Sequence, residues 1–240
     1  MIIPVNAQFI DTFFPNIDGV VRTVHNYALN MNKSTYSCVV APEQDKSYKD
    51  AFPYDVYRIR SLRLPSYEYR LPVMITANGL GQVLQSKRFQ IFHAHSPFFV
   101  GHYALRESKR LGIPLVTTFH SKYYDDVYKI THSKVIAKQT VNIIVDFYSK
   151  CDSVWTVGEG TANTLRDYGY KGEIFVIDNG SDVSYPDNAD ELRDKVTEIY
   201  NIPSGCPVLL FVGHQIWQKN IKTVLDALRL LTDSNFNYCM

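Results

Sequence analysis

The chain has 240 residues, of which 45% are hydrophobic and 20% charged, and its 25 basic and 24 acidic residues give a formal net charge of +1. These values exclude a chain that is disordered throughout, because such chains combine few apolar residues with a large net charge. The balance of charge also argues against nucleic-acid binding driven by overall charge, so we expect no nucleic-acid partner.

Short apolar runs alternate with helical stretches along the chain. Most of the runs are continuously apolar, which is typical of parallel strands covered on both faces. Strands are predicted at 8–12, 37–41, 56–59, 90–94, 115–119, 153–157, 174–177 and 208–212. Helices are predicted at 20–31, 99–111, 132–150, 161–168, 189–200 and 219–231. This alternation predicts an α/β fold with a Rossmann-like, doubly wound parallel sheet.

A polar segment interrupts this pattern near residues 181–207. It contains prolines and glycines around one predicted helix, and a single strand, loop and helix follow it. One such unit cannot bury its own apolar faces. We therefore predict a complete first domain at 1–183, a linker with a helix at 184–206, and at 207–240 the opening unit of a second, truncated Rossmann-like domain.

The cysteines and the N-terminus indicate the compartment. The four cysteines are scattered and form no CxxC pair, as expected for reduced thiols. The N-terminus lacks the basic region and cleavage site of a signal peptide, and no apolar run approaches the roughly 18–20 residues of a spanning helix. We expect a cytoplasmic protein, with peripheral contact to the inner membrane face as an open alternative.

The first candidate site is the loop between the first strand and the first helix. It reads Phe-Phe-Pro-Asn-Ile-Asp-Gly at 13–19, and Gly19 stands at the predicted helix start. Free N–H groups and the helix dipole favour an anion there, and a glycine lets a phosphate approach the backbone. An ordinary tight turn explains the same residues. The chain has no GxGxxG or Walker loop, which argues against a dinucleotide fold or a P-loop ATPase.

Histidines follow two of the predicted strands. His93 and His95 share one strand face, since they are two residues apart, and ligands gather at the carboxyl ends of parallel strands. A metal pair is disfavoured because no third ligand stands at convincing spacing. His120 leaves the next strand and enters an apparent loop with Tyr124 and Asp125. There it can bind a hydroxyl, donate to a leaving group, titrate near neutral pH, or simply hydrogen-bond within the fold.

The last candidate site follows the strand predicted at 208–212. A glycine, His214 and a loop lead to Lys219 at a predicted helix start. Lys219 adds positive charge to a position that already favours anions. A solvated lysine at a helix start explains the same pattern.

Taken together, these segments resemble the GT-B glycosyltransferases of family 4. The resemblance is carried in the family's order and spacing by FFPNIDGVVRTV (13–24), FHAHSPFFVG (92–101), GIPLVTTFHSKYYDD (112–126), CDSVWTVGEGTANTLRDYGY (151–170), VIDNGSDV (176–183) and LLFVGHQIWQKNI (209–221). It implies two facing Rossmann-like domains, a nucleotide-sugar donor that is usually a UDP-sugar, retention at the anomeric carbon, and no cofactor or metal.

The resemblance also implies roles for individual residues. Gly19 lies against the donor diphosphate, Lys219 binds that diphosphate, and His120 stands beside the transferring sugar as the catalytic residue. His214 replaces the family's usual arginine and cannot form its bidentate fork. His95, Tyr124 and Asp125 are assigned to the acceptor side or the cleft. The family's pair of glutamates, spaced eight apart, has no match in these 240 residues.

Within the family, the residues from His120 onward look most like bacterial diacylglycerol glucosyltransferases. The segment at 57–71 mixes four arginines with tyrosines and leucines, as an interfacial segment does, but a basic loop over the sheet is the preferred interpretation. We expect a retaining hexosyltransferase that acts on a hydroxyl of a lipid such as diacylglycerol, and a fragment inactive alone. The alternatives are a non-catalytic half that pairs with a second, donor-binding chain, and a nucleotide-sugar epimerase.

Overall fold

The structure is a computed structural model that describes residues 4–44, 47–63, 70–180, 183–213, 215, 219–234 and 236–239. The chain forms two compact units, Met1–Asp182 and Val183–Met240, and each is described by itself. Among the described residues, no helix combines the length and the hydrophobicity needed to cross a bilayer.

The first unit is built on a parallel sheet. Its strands in chain order are β1 (Asn6–Phe9), β2 (Ser37–Pro42), β3 (Asp55–Ile59), the antiparallel pair β4 (Ser61–Arg63) and β5 (Arg70–Pro72), β6 (Ile91–Ala94), β7 (Leu115–Phe119), β8 (Ser153–Thr156) and β9 (Phe175–Val176). Seven of them form one sheet in the order β3-β2-β1-β6-β7-β8-β9, with every pairing parallel. The predicted α/β class and parallel sheet are confirmed.

The helices of the first unit connect these strands. They are α1 (Gly19–Met31), α2 (Asn78–Ser86, after a 3₁₀ turn at Met74–Ala77), α3 (Phe99–Leu111), α4 (Tyr123–Thr131), α5 (Lys134–Tyr148) and α6 (Glu159–Asp167). Local chemistry sets their ends. Asp18 Oδ1 accepts a hydrogen bond from Val21 N at 2.8 Å and begins α1, while Gly112 ends α3 with a φ of 67°.

Side chains of the central strands alternate between the two faces of the sheet. Ala7 and Phe9 of β1 join the larger apolar cluster on one face. The next residue, Ile10, joins a second cluster with Val21 and Val24 of α1 on the other face. Because alternate residues share a face, the polar residues of β1 lie on the α1 side of the sheet.

Two predictions about helices differ from the structure for local reasons: one helix begins later than expected, and one segment expected to be a loop is a helix. The helix expected at 132–150 begins at Lys134, because His132 adopts a left-handed φ of 51° and Ser133 Oγ accepts from Ile136 N at 3.3 Å as the cap. The segment after His120, interpreted as a loop, forms α4 from Tyr123. Two acidic residues in its first turn, Asp125 and Asp126, suit a helix start.

The second unit contains two helices, α7 (Ala189–Ile199) and α8 (Ile221–Asp233). The strand predicted at 208–212 is wrong. Val208 forms an isolated bridge with Cys239, and Leu209 N donates to the Cys239 carbonyl at 2.8 Å. Leu210 and Val212 are each 84% exposed. A buried parallel strand needs neighbours on both edges, and within the described part of this unit the segment pairs with Cys239 alone.

The first turn of α3 lies against the backbone of the loop that follows β6. A Cβ atom at Gly101 would stand 1.9 Å from the Ser96 carbonyl oxygen, which is backbone and cannot rotate away. Gly101→Ala should therefore lower the free energy of unfolding by more than about 2 kcal/mol, because either the helix or the loop must shift. Urea unfolding followed by Trp155 fluorescence in a Trp217→Phe background measures this in the first unit.

Gly160→Ala in α6 is the matched control. A Cβ there meets no atom within 4 Å, so the change should be neutral or stabilising by up to about 1 kcal/mol. Equal unfolding midpoints for the two variants would contradict the close approach of α3 to Ser96.

Candidate active site

The site lies where the strand order of the sheet reverses. From β1 the chain builds outward through β2 to β3, and then returns to the other side of β1 and continues through β6, β7, β8 and β9. Ligands of open α/β sheets bind outside the carboxyl ends of the strands at such a point. The loops after β1, β6 and β7 therefore define the candidate site, and they carry Gly19, His95 and His120.

His95 and His120 meet at this edge of the sheet. Nδ1 of His95 lies 3.1 Å from Nε2 of His120, and the two rings stack with centroids 5.4 Å apart. Nε2 of His95 lies 2.8 Å from Oε1 of Gln8 on β1. His95 is buried, whereas His120 keeps partial exposure. The structure thus brings two of the predicted site residues into one hydrogen-bonded group.

His93 shares the face of His95 but serves the interior. The two ring centroids are 4.0 Å apart, and His93 Nε2 lies 2.7 Å from Thr118 Oγ1. Tyr27 of α1 and Trp155 of β8 contact its ring with centroid distances of 5.5 and 5.1 Å. His93 is therefore enclosed by protein and does not face an open cleft. Across the described residues, no group of three His, Cys, Asp or Glu side chains is arranged to hold a metal ion.

Burial keeps these three histidines uncharged at neutral pH. Desolvation lowers the pKa of His93 to about 3 and that of His120 to about 4, and it holds the pKa of His95 well below the ordinary value. A role for His120 that depends on titration near pH 7 is disfavoured by this burial. A neutral imidazole instead offers one N–H donor and one nitrogen acceptor.

Asp11 is a buried carboxylate at this edge of the sheet that the sequence analysis missed. Its carboxylate accepts hydrogen bonds from Ser96 Oγ at 2.5 Å and from Val100 N at 2.9 Å, so it caps α3 from the end of β1. Ser96 Oγ also accepts from Asp11 N at 3.1 Å. Burial raises the pKa of Asp11 to about 6 in spite of these bonds. Asp11 falls inside the strand predicted at 8–12, whereas β1 ends at Phe9, so an acidic residue within a predicted strand was the available signal.

Gly19 stands at the start of α1, as predicted. A Cβ at Gly19 would meet no protein atom within 4 Å, so the fold itself does not require a glycine there. Arg58 fixes the loop before Gly19, because it donates a hydrogen bond to the Phe14 carbonyl at 2.9 Å. Arg58 is itself held by an ion pair with Asp50 at 2.6 Å. The backbone of this loop is thus fixed while the space beside Gly19 stays open.

Tyr124 and Asp125 lie in the first turn of α4. Tyr124 N donates to Tyr168 Oη at 2.9 Å, and Asp125 is exposed in the first turn. In the part of the chain that the structure describes, neither makes a hydrogen bond or a ring contact with His95 or His120. Their assignment to the cleft stays a prediction.

Two residues of the predicted site, His214 and Lys219, belong to the second unit. Lys219 is exposed and lies two residues before the first residue of α8. His214 lies outside the described residues. Their diphosphate-binding roles stay predictions.

Comparison with known proteins decides the family. The profile of glycosyltransferase family 4 matches residues 17–185, which is well over half of the chain and includes Gly19, His95 and His120. The chain belongs to glycosyltransferase family 4.

Two curated family relatives match over much of the chain. One is the alpha-monoglucosyldiacylglycerol synthase of Streptococcus pneumoniae, 26% identical over 230 residues, which are 91% of this chain and 51% of that protein. Another is the GDP-mannose-dependent alpha-mannosyltransferase of Corynebacterium glutamicum, 22% identical over 73% of this chain and 43% of that protein. The chain spans about half the length of these family 4 relatives.

Solved structures share the fold. Anabaena HepE in complex with UDP and glucose superposes with a TM-score of 0.62 at 14% identity, covering 93% of this chain and 57% of that one. Sucrose-phosphate synthase from Thermosynechococcus elongatus gives a TM-score of 0.64 at 13% identity, covering 93% and 59%. At such identities the likeness concerns the fold alone.

The buried histidines predict how the stability of this family 4 chain depends on pH. The unfolded chain binds protons on histidine as the pH falls below about 6.5, whereas folded His120 stays neutral down to about pH 4. Its contribution to stability is therefore complete above pH 6.5 and is lost as the pH falls to about 4. Asp11, with its raised pKa, acts in the opposite sense between about pH 4 and 6.

His120→Gln isolates one of these protons. Between pH 6 and 4.5, the free energy of unfolding of the variant should fall less steeply than that of the wild type, by about 1.4 kcal/mol per pH unit. Urea unfolding at half-unit pH steps measures both slopes, and the range from pH 7 to 8 is the internal control, where the slopes should coincide. Parallel curves over the whole range would contradict a neutral, buried His120.

Proposed function

We propose that this chain forms the acceptor side of a retaining glycosyltransferase that moves a hexose from a nucleotide-diphosphate sugar to a hydroxyl of a lipid such as diacylglycerol. The observation that supports it most is the coincidence of the family 4 match with the switch-point site. Gly19, His95 and His120 lie within the matched residues and on neighbouring loops at one edge of the sheet. The proposed donor is UDP-glucose, since a fold relative is recorded with UDP and glucose.

The proposed chemistry is charge stabilisation at a leaving diphosphate. The start of α1 at Gly19 supplies backbone N–H groups and open space for a phosphate. Lys219 supplies a cation, and His214 contributes a weaker contact than arginine would. Loss of one such donor typically raises a transfer barrier by about 3 kcal/mol. No metal or other cofactor is required in this scheme.

His120 is proposed to orient the sugar rather than attack it. A neutral imidazole with a pKa near 4 is a poor general acid at pH 7, but its nitrogen accepts a hydrogen bond from a sugar hydroxyl. Partial exposure at the carboxyl edge of β7 leaves it reachable from solvent. A hydrogen bond from the sugar hydroxyl to His120 would position the anomeric carbon relative to the acceptor hydroxyl, and positioning contributes strongly to rate in group transfer.

A lipid acceptor is supported by an apolar groove beside the site. The groove encloses about 500 Å³ and begins at Pro97, two residues after His95. Phe98, Phe99 and Ile143 are exposed around it, and Arg106 lies at its edge as a cation. The relative from Streptococcus pneumoniae acts, by its name, on a diacylglycerol lipid. Peripheral contact with the inner membrane face would bring acyl chains to this groove.

The basic segment at 57–71 gives weaker support for membrane contact. Arg58 is bound to Asp50, and Arg70 Nε donates to Ser61 Oγ at 2.8 Å, so two of its four arginines serve the fold. Arg60 and Arg63 are exposed. Residues 64–69 lie outside the described part of the chain.

We further propose that transfer requires donor-side residues beyond these 240, from a longer chain or a second one. The supporting fact is that the chain covers 51% of the diacylglycerol-lipid relative. Activity is therefore best measured in the longest open reading frame that contains this chain.

The decisive experiment is a transfer assay on that reading frame. It combines radiolabelled UDP-glucose with vesicles that contain diacylglycerol, and we expect a labelled glucolipid whose anomeric configuration is that of the donor. His120→Ala should lower the transfer rate by about a hundredfold, because a positioned polar contact at the reacting sugar is lost. His132→Asn, at the left-handed end of α4, is the matched histidine control and should keep the wild-type rate.

The outcomes separate the parts of the proposal. A wild-type rate for His120→Ala would refute the proposed role of His120 and leave the other parts of the proposal standing. Transfer to a soluble acceptor but not to diacylglycerol would refute the lipid assignment. Release of a free sugar isomer without any acceptor would favour an epimerase instead.

Gly19→Ala tests the diphosphate contact. Because a methyl group meets no protein atom there, the variant should fold with wild-type stability. A methyl group in the path of a phosphate typically costs about 1–3 kcal/mol, so UDP binding should weaken roughly tenfold to a hundredfold. Isothermal titration of the longer reading frame measures this, with Gly160→Ala as control.

Two results would each contradict one part of the proposed donor site. Unchanged UDP affinity in Gly19→Ala would remove Gly19 from the site. Tight UDP binding by the 240-residue chain alone, for which we expect weak or no binding, would show that donor-side residues are not needed.

A further inference from the structure

A row of buried polar side chains runs beneath His120. Asn6 and Gln8 lie on the α1 face of β1, and each is 1% exposed, as is His95, which directly follows β6. Polar groups on a central strand are costly to bury unless every atom has a partner, so their hydrogen bonds can be followed one by one.

The donor and acceptor roles along this row follow from its first residue, Asn6. Asn6 Nδ2 donates to the Pro4 carbonyl at 3.0 Å, and a backbone carbonyl can only accept. The Asn6 amide therefore turns its oxygen inward. That oxygen accepts from Ser37 Oγ at 2.7 Å and from Gln8 Nε2 at 2.8 Å.

The donor and acceptor atoms of Gln8 and His95 are identified in the same way. Since Gln8 Nε2 donates to Asn6, its other atom, Oε1, is the one that faces His95 Nε2 at 2.8 Å. That nitrogen must carry the proton. A neutral imidazole has one donor and one acceptor, so His95 Nδ1 is an acceptor, and His120 Nε2 at 3.1 Å must donate to it.

We propose that Asn6 and Gln8 are positioning residues that lock His120 in the tautomer protonated at Nε2, so that its Nδ1 is presented as a hydrogen-bond acceptor to a sugar hydroxyl. The final step rests on the proposed function, whereas the tautomer does not. The opposite tautomer would place the Gln8 and Asn6 oxygens against each other at the distance of a hydrogen bond. That mismatch favours the Nε2–H form by at least about tenfold.

Among the described residues, the rings that pack against His95 carry no charge that competes with this order. The rings that face His95 are those of His93, Tyr27 and His120, at centroid distances of 4.0, 5.8 and 5.4 Å. Burial lowers the pKa of both flanking histidines and raises that of Tyr27, so all three rings are neutral near pH 7.

The tautomer is measurable in the 240-residue chain itself. Long-range ¹H–¹⁵N spectra of the ¹⁵N-histidine-labelled protein at pH 7.5 distinguish protonated from bare ring nitrogens, and His120→Gln assigns the His120 signals. We expect protonated Nε2 and bare Nδ1 at both His95 and His120. Protonated Nδ1 at His120 in the wild type would overturn the proposal, whatever the variants do.

Gln8→Met tests the source of the order. Methionine keeps the length of the side chain but removes the oxygen that accepts the hydrogen bond from His95 Nε2–H. The fraction of His120 protonated at Nε2 should therefore fall from at least about nine-tenths toward a mixture of the two tautomers. Thr117→Val is the control, since it removes a buried hydroxyl that donates to the Ala94 carbonyl at 3.0 Å, outside the row. Asn6→Leu serves if Gln8→Met does not fold. Unchanged tautomers in whichever variant folds would overturn the role of β1.

Kinetics on the longest reading frame separate this inference from the proposed function. Gln8→Met should lower kcat about tenfold with little change in KM for the lipid, and should have no further effect in a His120→Ala background. The expected tautomer without any transfer activity would refute the function and leave the row intact. Transfer activity with the opposite tautomer would refute the row and leave the function intact.

Discussion

The four residues of β1 are the constraint on which the first unit depends. This strand sits at the reversal of strand order, so β2 and β6 pair with it from opposite sides. One of its faces is apolar and anchors the larger core through Ala7 and Phe9, while the other carries Asn6 and Gln8. A single short strand therefore organises both the packing of the sheet and the hydrogen bonds beneath His120.

Much of this architecture was predictable because it follows from repeated local patterns. Continuous apolar runs located β2, β6, β7 and β8, whereas β1 begins two residues before its predicted start. Glycine and proline located the start of α1 and the end of α3. Gly19 and His120 were found because each follows a strand, where an α/β fold places its ligands. These signals need only a few neighbouring residues.

Gln8, Asp11 and residues 208–212 were misjudged from the sequence because long-range contacts decide their roles. Gln8 resembles an ordinary strand residue until His95, 87 positions away, is known to lie beside it. Asp11 similarly acquires its role from Ser96 and Val100. The run at 208–212 has strand composition, but among the described residues it pairs with Cys239 alone. It forms no strand because pairing, rather than hydrophobicity, makes a strand.

The bonds of Asp11 have a mechanical consequence. Its main chain and carboxylate join the end of β1 to Ser96 and to the first turn of α3, so the loops on both sides of the switch point are fastened together. A ligand that pushes on one loop must then displace the other, along with the helix behind it. The loops at the base of the candidate site therefore move as one body, and adaptation to different ligands is left to the side chains around them.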